Sequence, residues 1–301
     1  MTPRTNSAAA AGTWRLGDRS VNRIGLGAMR LTDSAAFHQG IPSDRDRAIG
    51  VLRTAVELGV NHIDTAAFYF SRLRSANELI NSALAPYPED LLIATKVGPA
   101  RDASGEWATP ARPDQLRGQV EENLRQLGRD HLDLVNLRFM RGTSVAEHFG
   151  ALAELRDAGL IRHLGLSNIR PEHLAEARAI APVVCVQNPY GVDARDGDEL
   201  LRECGAQGIA FVPFFAIAGG GREQGHESDG AERDAVRAVA AAHGVSPARV
   251  RLAWTLRQGD HVLAIPGTGD PDHLVDNLAA GTLRLTDEQA ALLDTVGRPA
   301  R

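Results

Sequence analysis

The sequence predicts an α/β protein of the (β/α)8 TIM-barrel class, with an N-terminal β-hairpin and two extra helices. Three observations point there. Short β-branched runs alternate with helical stretches along nearly the whole chain. The runs number eight and each is followed by a helical pattern, which is the count of a (β/α)8 barrel. At 301 residues the chain suits one large barrel domain, a class that commonly uses more than 200 residues.

The hairpin comes first. Segments 14–16 and 21–23 flank Gly17-Asp18-Arg19, a turn that would fold them together over the barrel floor. Strand candidates follow at 23–27, 60–64, 91–96, 132–137, 161–166, 183–187, 209–213 and 262–265. Helical patterns occupy 45–58, 75–84, 113–127, 145–158, 171–180, 198–207 and 231–243, and one more, 271–280, follows the last strand. Gly59, Gly159 and Gly208 stand just past three of these helices and Pro171 opens another, the usual stop and start signals. The extra helices are 246–257 and 286–296, and Trp254 sits in the first at a spacing that expects it in the core. The longest loop, 218–230, has the glycine content of a mobile cover. A doubly wound sheet would place GxGxxG after strand one, whereas Gly25-Leu26-Gly27-Ala28-Met29-Arg30 lacks the third glycine. Residues 1–12 are expected to be a disordered leader and residues 13–301 a single domain.

Composition narrows the partners. Hydrophobic residues at 43% and charged residues at 24% place the chain among globular proteins. A net charge of −5 provides no global positive field for nucleic acid or anionic lipid. Cys185 and Cys204 make neither a CxxC motif nor a disulfide framework, and no run approaches 18 apolar residues. These features predict a cytoplasmic protein that acts on small molecules without nucleic acid, membrane or metal; no repeat or apolar exposed helix decides between a monomer and a weak homo-oligomer.

Chemistry in a parallel barrel gathers at the C-terminal strand ends. Asp64 ends strand two, Lys96 ends strand three, and Tyr69 follows Asp64 by five residues, so all three can face one mouth. A tyrosine hydroxyl, ordinarily with a pKa of about 10, trades protons poorly near neutrality unless a nearby ammonium favours the phenolate. A lysine in that position needs a carboxylate to keep its charge, which is a role for Asp64. Composition singles out the lysine, because Lys96 is the one lysine among 33 basic residues. Lysine is a compact donor with an adjustable pKa, whereas arginine is a planar, permanently charged fork.

The segments GVNHIDTAAFY, ATKVG, GLSN, VQN and AIPGT, in this order, resemble the aldo-keto reductase superfamily over about residues 20 to 296. The resemblance implies NAD(P)H-dependent interconversion of carbonyls and alcohols, with Tyr69 as proton donor and Asp64 and Lys96 as its tuning partners. It implies cofactor contacts at Ala28 and Met29 after strand one. Ser167, Asn168 and Gln187 would clamp the nicotinamide carboxamide, and Phe214 would stack on its ring. Gly267, Thr268, His273 and Asn277 would hold the adenosine end, with the amides of Asp272 and His273 able to cradle an anion at a helix start. NADP(H) is favoured and NAD(H) remains possible, since Asp270 and Asp272 lie where a 2′-phosphate would be unwelcome. The Gly219–Arg222 stretch could fold over the pyrophosphate or serve as a linker.

One position departs from the family. Asp133-Leu134-Val135-Asn136-Leu137-Arg138 puts Arg138 where the family has a histidine, and neither His131 nor His148 matches that place. Arg138 is counted with the catalytic residues as a possible donor to a developing oxyanion. The departure keeps two other activities in view, a slow cofactor-binding sensor and reduction of a C=C bond; a desolvated Lys96 adds a third, a lyase or aldolase using it as a Schiff-base amine. Phe68, Phe70, Arg30, Trp107 and Phe139 lie near strand ends and could line the pocket for an aldehyde or ketone substrate.

Overall fold

The structure, a computed structural model, describes residues 7–32, 43–102, 104–217 and 230–296. The expected hairpin is formed by β1 (Thr13–Leu16) and β2 (Arg19–Asn22), paired antiparallel with Trp14 opposite Val21. One parallel sheet follows, its strands adjacent in chain order: β3 (Leu26–Gly27), β4 (His62–Asp64), β5 (Leu92–Val97), β6 (Leu132–Arg138), β7 (Ile161–Ser167), β8 (Val183–Gln187) and β9 (Ala210–Phe211). Helices α1 (Arg45–Glu57), α2 (Ala76–Leu84), α3 (Leu116–Leu127), α4 (Ala146–Asp157), α5 (Pro171–Arg178) and α6 (Asp198–Ala206) connect β3 through β9. After β9 come α7 (Gly230–His243), α8 (Pro247–Arg257), α9 (Pro271–Ala279) and α10 (Asp287–Thr295).

The eighth expected strand does not form as a continuous ladder. Segment 262–267 makes single parallel bridges instead, Val262 to Phe211, Ala264 to Ile24 and Gly267 to Gly27. Pro266, just past the expected span 262–265, has no N–H to donate, so no ladder continues from there to Gly267. The bridges nevertheless join the sheet's two edges. Leu263 N donates to Phe211 O at 2.9 Å, Ala264 N to Arg23 O at 2.8 Å and Gly25 N to Ala264 O at 2.8 Å, so the sheet curls into an α/β barrel.

Side chains alternate between the two faces of this sheet. Leu92, Ala94, Leu134, Cys185, Ala210 and Leu263 point into the barrel and cluster with Leu16 and Val21 of the hairpin, which therefore packs against the barrel interior. The opposite faces of the same strands, including Ile93, Val135, Leu166 and Val186, join Leu52, Leu79, Val120 and Leu152 of the helices in the larger core. Parallel strands buried on both faces read as nearly continuous apolar runs, which is why they were visible in the sequence. Gly165 has a specific task. A Cβ there would lie 2.0 Å from Asn136 Oδ1, so the glycine admits the inward amide of the neighbouring strand.

Of the stretch 1–12 expected to be a disordered leader, the described residues 7–12 carry regular structure. Ala8–Ala11 form a 3-10 turn capped by Ser7, and Ala8 is buried with its N–H bonded to Leu58 O at 3.0 Å. The alanines are small enough to approach Gly281, where a Cβ would meet Ala11 N at 2.7 Å. Trp254 is fully buried as expected, stacked on Tyr190 at 5.9 Å with its Nε1 donating to Asp294. The loop expected at 218–230 lies outside the described residues except for Gly230, which begins α7. Among the described residues no helix is long and apolar enough to cross a membrane.

Two outcomes follow from this architecture. Leu16→Ala removes a buried anchor of the hairpin and should lower unfolding free energy by about 2–4 kcal/mol, measured by chemical denaturation. His62, wholly buried on β4, is the second case: burial pushes its pKa down to about 4, with the Asn22 backbone offsetting only part. The imidazole stays neutral in the fold while the unfolded chain takes up a proton near its ordinary pKa of about 6.5. Stability should therefore fall as pH drops from about 6.5 to about 4, by roughly 3 kcal/mol from this residue. His62→Leu should flatten that portion of the stability–pH curve, whatever its effect on stability at neutral pH.

Candidate active site

The inward positions at the C-terminal end of the sheet carry polar groups. Asp64 on β4 is in register with Ala94, and Lys96 is two residues further along β5 on the same face. Lys96 Nζ donates to Asp64 Oδ1 and, at 3.1 Å, to Thr65 O. Both residues are 3% exposed. Burial pulls the Lys96 pKa down, but the charge and hydrogen bonding of Asp64 and Tyr69 outweigh it and hold the ammonium above its ordinary value.

Tyr69 meets this pair from the loop after β4. Its N–H donates to Ala66 O at 3.0 Å and its carbonyl accepts from Ala76 N at 2.9 Å, so both sides of the peptide are tied down. Lys96 Nζ lies 4.9 Å from the Tyr69 ring centroid and is hydrogen-bonded to the residue. Behind the loop, Thr65, Asn77, Asn123 and Thr95 form a buried hydrogen-bond network that braces β4 and β5 against α2 and α3.

Gln187, at the end of β8, donates from Nε2 to Asp64 Oδ2 at 2.6 Å. One carboxylate thus holds Lys96 with one oxygen and Gln187 with the other. The Gln187 Oε1 is buried without a hydrogen-bond partner among the described residues. Ser167 is in register with Gln187 on one side and Arg138 on the other. Arg138 Nη1 donates to Ser167 Oγ at 3.4 Å, and its guanidinium carbon lies 4.9 Å from the Phe214 ring centroid. Asn168 has φ 60°, a left-handed conformation that asparagine tolerates, and its Nδ2 donates to Phe139 O at 2.8 Å.

The remaining expected residues lie across the sheet closure. Ala28 and Met29 are in the 3-10 turn Ala28–Leu31 after β3, and Gly27 bridges to Gly267. Thr268 and Asn277 are buried, whereas His273 is exposed at the start of α9. The amides of Asp272 and His273 already donate to Asp270 Oδ1, at 2.8 and 3.2 Å. Those backbone bonds hold the Asp270 carboxyl below the usual carboxylate range, and Arg47 pairs with it. The helix start expected to cradle an anion therefore carries the chain's own anion. His148 bonds Ala111 O, and His131 lies half-buried beside Asp133.

Sequence reasoning missed Arg101. Its Nη1 donates to Phe68 O and Phe70 O at 3.1 and 2.9 Å, its Nε to Gly105 O at 2.7 Å, and its guanidinium faces the rings of Phe70 and Trp107. The arginine locks the loop that carries Tyr69 to the loop after β5. Its only sequence signal was a cation between two aromatic-bearing loops. Phe68 packs edge-on to Tyr69 at 5.1 Å and to Trp107 at 6.0 Å, forming one wall beside the phenol.

Comparison with known proteins agrees with this arrangement. Residues 23–298 match the family model described as Aldo/keto reductase family. The chain is 42% identical over 296 residues to a pyridoxine 4-dehydrogenase of Escherichia coli K12, covering 96% of this chain and 99% of that protein. It is 36% identical over 293 residues to an uncharacterized oxidoreductase of Schizosaccharomyces pombe, covering 97% of this chain and 92% of the other. A Klebsiella pneumoniae aldo-keto reductase solved in complex with NADPH superposes with a TM-score of 0.76 at 28% identity, covering 96% of each chain. The chain belongs to the aldo/keto reductase family.

Proposed function

We propose that the chain is an NADP(H)-dependent oxidoreductase that interconverts an alcohol and an aldehyde or ketone, with Tyr69 as the proton carrier. The observation that carries this reading is the buried cluster in which Asp64 holds Lys96 charged and Lys96 meets Tyr69. A fixed ammonium beside a phenol stabilises the phenolate that remains after a proton is given up. Tyr69 then donates its proton to the carbonyl oxygen in reduction, and the phenolate recovers one from the alcohol in oxidation. Asp64 keeps Lys96 charged despite burial, and its second oxygen fixes the Gln187 amide.

The residues present fit a nicotinamide cofactor. Gln187 Oε1 is a buried acceptor without a partner, which a carboxamide N–H would satisfy. Gln187, Ser167 and Asn168 would hold that carboxamide and Phe214 would flank the ring. Ala28 and Met29 would support the cofactor from the β3 end, and Gly267, Thr268, His273 and Asn277 would take the adenosine end. When bound, the reduced cofactor supplies the hydride. The solved relative with NADPH supports NADP(H) over NAD(H).

The 42% identical relative supports a substrate of its own kind, a hydroxymethyl or formyl carbon on a pyridine ring. The wall of Phe68 and Trp107 beside the Tyr69 phenol suits an aromatic ring. Schiff-base lyase chemistry is disfavoured, because it needs a neutral amine and Lys96 is held protonated. A small-molecule carbonyl substrate and a cytoplasmic setting complete the reading.

Tyr69→Phe should lower kcat for pyridoxal reduction by about 10²- to 10⁴-fold while NADPH still quenches protein fluorescence on binding. Undiminished turnover would remove Tyr69 from its assigned role. In parallel titrations of the wild type, NADPH should bind at least about tenfold more tightly than NADH, a difference of roughly 1.4 kcal/mol. Equal affinities would withdraw the NADP(H) assignment.

A further inference from the structure

We infer that Arg138 is a specificity-determining residue that selects a substrate carrying an anionic oxygen on an atom one or two bonds from its reacting carbonyl carbon. The inference rests on the reductase reading of the same mouth and adds to it the chemical class of the substrate.

Position comes first. Asn136 is in register with Lys96, so Arg138, two residues further along β6, shares the inward face. Strand geometry then puts its Cα roughly 8 Å from that of Lys96, one step nearer the opening. The connection from the reacting phenol is continuous: Tyr69 to Lys96, Lys96 to Asp64, Asp64 to Gln187, Gln187 in register with Ser167, and Ser167 to Arg138.

Charge separates Arg138 from the other groups there. Asp64 and Lys96 neutralise each other, so the Arg138 guanidinium is an added, permanent positive charge. Three other arginines with little exposed side chains are matched to carboxylates: Arg129 to Asp133, Arg195 to Asp198 and Asp294, and Arg251 to Asp193. Arg138 has no carboxylate among the described residues. Its contacts are a 3.4 Å bond to a neutral hydroxyl and the face of Phe214. A guanidinium has five N–H donors, and here most are left for water or for a ligand. A half-buried fork of this kind is suited to a charged oxygen, for which its bonds are strongest.

The requirement for an anion near the carbonyl comes from the division of labour in the mouth. The carbonyl oxygen belongs to Tyr69, which Lys96 already supports. Arg138 stands on the neighbouring strand and is bonded to Ser167, so it is assigned the nearby anion rather than the carbonyl oxygen. An aldehyde such as pyridoxal, whose 4-formyl group neighbours an ionised ring 3-oxygen, has this shape, and so does a 2-oxo acid with its carboxylate.

The test compares matched pairs with NADPH in wild type, Arg138→Met and Arg138→Lys: pyridoxal against pyridine-4-carbaldehyde, and benzoylformate against acetophenone. In Arg138→Met, kcat/KM should fall about 10- to 100-fold more for the anionic member than for its neutral partner, mainly through KM, and Arg138→Lys should regain part of it. The pair showing the differential loss identifies the anion as ring oxygen or carboxylate. Equal losses within both pairs overturn the inference. Calorimetry with 4-deoxypyridoxine, which keeps the 3-oxygen and lacks a reacting carbonyl, tests the contact without turnover. At least tenfold weaker binding to Arg138→Met supports it, and equal binding or none to wild type overturns it. A wild type that binds this probe through Arg138 yet reduces no member of either pair would remove the reductase reading and leave the anion contact standing.

Discussion

The site depends on the ion pair between Asp64 and Lys96. Inside a barrel mouth an unaccompanied ammonium would lose its proton, and an unaccompanied carboxylate would gain one. Breaking a buried pair by removing one partner typically costs about 3–5 kcal/mol, since the survivor is left charged and unsolvated. Here the pair is also tied outward, to Thr65 O through Lys96 and to Gln187 through the second oxygen of Asp64. Losing either charge would release Tyr69 on one side and Gln187 on the other, so strands β4, β5 and β8 share one electrostatic constraint.

That constraint can be met because the sheet presents the right residues on the right face. Strand alternation sends Ala94 and Lys96 inward from β5, Leu134, Asn136 and Arg138 from β6, and Cys185 and Gln187 from β8. The lower positions are apolar and close on the hairpin through Leu16 and Val21, while the upper ones are polar and open toward the mouth. A shift of one residue in any of these strands would exchange its inward polar side chain for one meant for the helices. The close fit of Asn136 over Gly165 resists such a shift between β6 and β7, because other residues there would strike the amide.

Much of this was legible in the sequence, and the exceptions have physical causes. Strands buried on both faces announce themselves as apolar runs, and the hairpin announced itself by its turn. Segment 262–265 was expected as a regular strand because local pattern does not show that it meets its two neighbouring strands through single bridges, Val262 on one side and Ala264 on the other. The ordering of Ala8–Ala11 was missed because small residues carry little hydrophobic signal, and their burial depends on a glycine 270 residues away, at Gly281. Asp64, Tyr69 and Lys96 could be placed at one mouth from strand ends alone. Arg101 could not, since its contacts are to backbone carbonyls of another loop and leave no pattern in side-chain type. The occupation of the α9 start by Asp270 is a similar case: the sequence shows an acid at a helix cap, but only geometry shows that it takes the amides an external anion would use.

The two cations of the mouth illustrate why composition was informative. A chain that meets nearly all its basic positions with arginine keeps a lysine where a single Nζ must meet Asp64, Thr65 O and Tyr69 within a sealed volume. A planar fork with five donors would leave several of them buried and unsatisfied there. Arg138 is in the opposite situation. It sits at the open end of β6, where the unused edges of the fork reach water and its flat face rests on Phe214. Replacing a titratable histidine with this group exchanges a residue that can move a proton for one that can only hold a charge. In the proposed reductase reading the proton transfer falls to Tyr69 with Lys96 supporting it, and Arg138 is left as a fixed electrostatic contact at its strand end.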